Sequence, residues 1–199
     1  TPRIPFTTDT ALFVEVVAFG RDLLWWATHG ERFNPRDTKS LPVYRLPAGA
    51  ARNTKAVPPG PAGYPETFAY DPATNTIHVG DGKFHPVSPD VWAFEVSGLN
   101  VVQSWLGYRM KKRAGKKSSA LDDIRPDTWS FSNDLVELLW VIEHFAAAAQ
   151  PAADLLGRVT QSELIANDAF PTPTGDQLNA PPATTTTRDQ QTMFTTPTA

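Results

Sequence analysis

The segment from 133 to 149 limits the fold most tightly. Leu135, Leu138, Leu139, Ile142, Phe145 and Ala149 recur at intervals of three and four residues, which places them on one face of an α-helix. A helix with a single apolar stripe is marginal alone in water, so the rest of the chain must supply a surface that covers it. Ser132 stands where an N-cap belongs. With 199 residues and 41% hydrophobic content, one core of ordinary size is within reach.

The covering elements are legible from pattern. Residues 9–28 read as a second helix through Leu12, Phe13, Val16, Val17, Phe19, Leu23, Leu24 and Ala27, with Thr8 or Asp9 as cap and Gly30 as stop. Residues 67–80 read as a β-hairpin: Phe68 and Tyr70 alternate on one arm, Ile77 and Val79 on the other. Asp71-Pro72-Ala73-Thr74-Asn75 supplies the turn between them. Ser88-Pro89-Asp90 starts a short helix to about Glu95, Ser97-Gly98 interrupts it, and 99–112 is helical again. Thr160 to Glu163 fits a capping box before a last short helix. Five Pro and three Gly mark 47–65 as a loop. The pattern predicts an α+β domain over 1–170, with helices packed on a small antiparallel sheet and long Pro/Gly-rich loops. From 171 to 199 ten Thr and five Pro replace almost all apolar residues, so a disordered C-terminal tail is expected there.

Several functions are excluded. There is no cysteine, hence no disulfide or thiolate metal site. No run of 18 apolar residues exists, so no membrane partner is expected. The chain opens Thr1-Pro2-Arg3 without Met or a signal peptide, and we expect excision from a longer protein. His29, His78, His85 and His144 form no i, i+3 or i, i+4 pair for a helical metal site. Walker A, dinucleotide-binding, nucleophile-elbow and amino-methyltransferase motifs are missing.

Charge is informative only locally. The net charge is −3, yet six of the nine residues from 109 to 117 are basic: Arg109, Lys111, Lys112, Arg113, Lys116 and Lys117, followed by Ser118 and Ser119. Such a run at a helix end that passes into a Gly-containing loop suits phosphate contacts. A solvated helix end favoured by the dipole is the plainer alternative. A second basic set comprises Arg32, Arg36, Lys39, Arg45, Arg52 and Lys55, with only Glu31 and Asp37 against it. It suits base-reading loops or ordinary surface. Trp92, Phe94, Trp105, Tyr108, Trp129 and Phe131 surround the first run; they can stack on bases, but their spacing suits a core. Asp122, Asp123 and Asp127 follow it as metal ligands or, more simply, turn and cap residues. Asp71 with Asp81-Gly82-Lys83, and Asp22 with Asp37-Thr38-Lys39, match a metal-dependent nuclease pattern at a level chance supplies.

Three stretches carry a resemblance: Pro2-Arg3-Ile4-Pro5-Phe6 with the helix through Phe13, Val17-Ala18-Phe19-Gly20-Arg21-Asp22-Leu23; Tyr70 to Gly82 leading to Pro86-Val87-Ser88-Pro89-Asp90-Val91-Trp92; and Glu95-Val96-Ser97-Gly98-Leu99-Asn100-Val101-Val102 through Trp105, Tyr108-Arg109 and Ser118-Ser119-Ala120-Leu121-Asp122-Asp123-Ile124. Over roughly 2–150 the chain resembles the C-terminal specificity domain of Type ISP restriction–modification enzymes and related adenine-specific DNA methylases. The resemblance implies a non-catalytic reader of double-stranded DNA in the bacterial cytoplasm, joined to the methyltransferase and translocase domains of a parent chain. It implies no cofactor here; S-adenosylmethionine, ATP and Mg²⁺ are expected on the parent's other domains. A docking domain without DNA readout, and a metal-dependent nuclease, are the rivals.

Overall fold

The computed structural model describes residues 4–30, 46–112 and 125–179. Asp9 caps α1 (Thr10–Ala27), its carboxylate accepting from the Ala11 and Leu12 amides at 2.9 and 3.1 Å. The helix ends where the Gly30 amide donates back to the Trp25 carbonyl at 2.8 Å and that of His29 to Trp26. His29, at φ 50, takes the left-handed position that glycine usually fills.

Four short strands form an antiparallel sheet in the order β1-β4-β3-β2. β2 (Phe68–Asp71) and β3 (Thr76–Val79) are the expected hairpin, paired Phe68 with Val79 and Asp71 with Thr76. β4 (Gly82–His85) pairs Phe84 with Ile77 and Lys83 with His78. β1 (Arg52–Lys55) was not expected, because Pro and Gly dominate the segment around it. It exists because Glu143 accepts from the Ala50 and Ala51 amides at 2.6 and 2.9 Å, and the Trp140 indole donates to the Ala51 carbonyl at 2.8 Å. These long-range bonds lay the strand beside β4, with a bulge between Asn53 and Lys55.

The short helix α2 (Pro89–Trp92) is capped by Ser88 and stops three residues before the expected Glu95. Residues 95–100 instead form a tight hairpin of β5 (Glu95–Val96) and β6 (Leu99–Asn100). Ser97 at φ 51 and Gly98 at φ 83 build the left-handed turn that such two-residue loops need. Asn100 then caps α3 (Val101–Gly107) through the Gln103 amide, so this helix is shorter than the expected 99–112.

The last long helix, α4 (Ser132–Gln161), runs twelve residues beyond the expected end at 149 and passes through Pro151. An interior proline costs a hydrogen bond and about 3 kcal/mol, which packing at both ends offsets. Leu135, Leu139 and Ile142 join Ile77, Val79, Phe84, Val87, Val102 and Leu106 in the main core. Leu155 and Val159 meet Leu12 of α1 in a second, smaller cluster. Ser132 is not the cap; its hydroxyl accepts from the Trp129 indole, and Phe131 holds the cap position. Thr160 lies inside the last turn, its hydroxyl donating to the Gly157 carbonyl, so no capping box forms. Beyond it the chain bridges Leu164 to Thr7. A single helical turn, α5 (Gly175–Leu178), stands within the segment expected as tail; residues 180–199 lie outside the described residues. The architecture is α+β, helices on a small antiparallel sheet.

Candidate nucleic-acid interface

The first basic run begins where α3 ends. Arg109 is half-buried, its guanidinium 3.8 Å from the Trp105 ring centroid and 5.3 Å from that of Phe131. It donates to the Trp105 carbonyl at 3.1 Å. Burial pulls its pKa down, and the charge of Asp134 works against that pull. Its Nε atom is buried with no hydrogen-bond partner among the described residues. The Tyr64 hydroxyl donates to the Arg109 carbonyl at 3.0 Å, and burial pushes that phenol up.

Lys111 and Lys112 follow on the surface. The Lys111 amide donates to the Pro65 carbonyl at 2.9 Å, and its ammonium pairs with Glu66 at 3.2 Å with both side chains half exposed. Such a pair is worth little by itself. Lys111 also lines a pocket of about 290 Å³ with Tyr64, Arg125 and Asp127. Arg113, Lys116, Lys117, Ser118 and Ser119 lie outside the described residues, as do Asp122 and Asp123.

Of the second set, Arg52 and Lys55 are described, both on exposed β1; Arg32, Arg36, Lys39 and Arg45 lie outside the described residues. Arg52 turns back on its own element, donating to the Ala51 carbonyl at 2.8 Å with its guanidinium 5.5 Å from the Trp140 ring centroid. Lys55 stands opposite Lys83 in the register, and Lys83 opposite His78. Val79 and Phe84 are fully buried, so the alternation of a strand sends His78, Lys83 and His85 to the outward face. Sequence reasoning did not group Lys83 and His78 with Lys55. The alternation Gly82-Lys83-Phe84-His85 holds the signal, but only the pairing register puts the three in a row.

Trp92, Phe94, Trp105 and Trp129 pack against the main core, whereas Tyr108 is exposed. Tyr70 stacks on Trp92 with centroids 5.0 Å apart and donates to the Val87 carbonyl at 2.9 Å; burial raises its pKa. Trp129 packs edge-on against Tyr64 and Phe131. The nuclease pattern does not assemble. Asp71 closes the β2–β3 turn, while Asp81 sits in the turn at the other end of β3. Asp71 accepts from the Ala73 amide and the Thr74 hydroxyl, which holds its carboxyl below the usual range. Asp22 accepts from or pairs with His144 at 2.6 Å, and Asp37 and Lys39 lie outside the described residues. Among the described residues no three His, Asp or Glu side chains could share a metal ion, and no helix is long and apolar enough to cross a membrane.

No curated protein and no solved structure matches the chain. A family profile, the Type ISP C-terminal specificity domain, matches residues 1–140, more than two thirds of the sequence and both the sheet and α1 to α3 within it. The chain belongs to the Type ISP C-terminal specificity domain family, whose role in restriction–modification enzymes is target recognition.

Proposed function

We propose that this chain reads a sequence in double-stranded DNA and directs the adenine methylation and restriction of a parent enzyme to that site. Family membership carries the reading. The basic run starting at Arg109 supports it, because Tyr64 and Pro65 anchor the backbone where the run leaves α3. Anchored cations hold phosphates and set the register, while loop side chains contact base edges in the major groove. A flipped adenine passes to the methyltransferase domain of the parent. In this reading S-adenosylmethionine, ATP and Mg²⁺ are held by the parent's methyltransferase and translocase domains, and the assembly works in the bacterial cytoplasm.

One observation favours a second role beside the first. Phe13, Val14 and Leu24 of α1 are 43%, 60% and 43% exposed, and large apolar side chains on one helix suit docking against the parent's other domains.

The test is a selection from random duplexes at several salt concentrations, with sequencing of the retained DNA. Six phosphate contacts give a log–log salt slope of about −5. Steep dependence with an enriched motif is expected. Flat, negligible binding by the chain and by the full-length parent would overturn DNA readout.

A further inference from the structure

The outward face of the four-stranded sheet holds a row of basic groups, of which only Lys55 belongs to the basic sets legible in the sequence. We infer that this face holds the phosphate backbone of duplex DNA, with Lys55 and Lys83 as paired contacts and His78 beside them. The inference rests on the DNA-recognition reading above and adds the surface on which contact is made.

Three observations carry it. Lys55 is the register partner of Lys83 just past the bulge that begins at Asn53, and like charges brought together across a sheet repel and lower its stability unless an anion lies across them. Ion pairs among the described residues join Lys111 to Glu66, His144 to Asp22 and Arg158 to Glu15, and none of these reaches the two lysines. The acid on the same face, Asp71, accepts from its own turn at the far end of the strands, where His78, not either lysine, is the basic group acting on it; Asp81 stands in the β3–β4 turn.

The geometry suits a polyanion. Adjacent strands lie about 4.8 Å apart, so Lys55, Lys83 and His78 span about 10 Å across three strands, close to the axial rise of three base pairs of duplex DNA. Lys55, Lys83, His85 and Ala69 are exposed, and α2, α3 and α4 pack on the opposite face around Ile77, Val79 and Phe84.

The end of the sheet that carries the row is also tied through the backbone to the start of the basic run. The Gly80 amide donates to the Thr67 carbonyl and the Lys111 amide to the Pro65 carbonyl. Residues 65–67 therefore tie the end of α3 to the end of the sheet that carries the lysine row.

The test uses the full chain, a short mixed-sequence duplex with a fluorescent label, and the salt dependence of binding. Lys55→Gln/Lys83→Gln is expected to make the log–log slope shallower by about 2, at about 0.9 per lost phosphate contact. Lys55→Arg/Lys83→Arg is expected to keep the slope. The melting temperature of the Gln variant is expected to hold or rise, because a like-charge pair is relieved. Should the double variant unfold, Lys55→Gln alone on the exposed edge strand is expected to lower the slope by about 1. An unchanged slope in the folded Gln variants would sink this inference while leaving DNA recognition standing. Absence of duplex binding by the unsubstituted chain would overturn both.

Discussion

The Arg109 guanidinium lies 3.8 Å from the Trp105 ring centroid and donates to the carbonyl of the same tryptophan. A cation so placed is a packing element first. Arg109→Ala is expected to lower folding stability by about 1–2 kcal/mol, the range of a partly desolvated cation–π contact. Arg109→Lys keeps the charge but not the planar stack, and is expected to recover less than half of the loss. Chemical denaturation of the two variants checks this; equal stability of wild type and Arg109→Ala would refute the packing role.

Glu143 organises the edge strand from a distance, through the Ala50 and Ala51 amides. Hydrogen bonds to a carboxylate are worth about 1.5–3 kcal/mol where the donors would otherwise go unpaired. Glu143→Ala is expected to cost an amount in that range and to expose β1 to hydrogen exchange ahead of β2 and β3. Gly49→Ala attacks the same joint by steric means, since a Cβ there would overlap the Glu143 carboxylate and the Trp140 ring. Amide exchange of residues 52–55 reads both variants.

Ser97 holds a left-handed backbone at φ 51 beside Gly98 at φ 83. Asparagine tolerates that conformation better than serine, and Asn-Gly is the favoured pair for this turn. Ser97→Asn is expected to raise stability by up to about 1 kcal/mol, and Gly98→Val to lower it by more. A thermal melt of each variant is the measurement.

Stability is expected to fall at both pH extremes for separate reasons. The carboxyls of Glu15, beside the Arg158 guanidinium, and Asp71, bonded by Thr74, are held below their usual values. Their contribution is present above the unfolded-state values near pH 4 and is lost as pH falls through the folded-state values. Burial raises the phenols of Tyr64 and Tyr70. Their contribution is complete below the ordinary value of about 10 and is lost as pH rises through the folded-state values. Asp71→Asn should flatten the acid limb and Tyr64→Phe/Tyr70→Phe the alkaline one, followed by stability against denaturant at each pH.

Local periodicity by itself determined the elements that carry their own pattern. The helix α1, the Asp9 cap, the β2–β3 hairpin and the Ser88 start of α2 are all visible because each depends on residues within a turn or two of one another. The absence of cysteine and of the common catalytic motifs, and the basic run after Tyr108, were equally open to reading. Only tertiary structure decided what depends on distant partners. β1 forms because a glutamate and a tryptophan some 90 residues away bind its backbone. α4 continues past Pro151 because Leu155 and Val159 find Leu12. Arg109 turned out to be held by Trp105 and Phe131 although it opens a basic run. Lys55, Lys83 and His78 became a row only through strand register. In each case the deciding free energy comes from contacts between residues far apart in the chain, which a pattern confined to one segment does not encode.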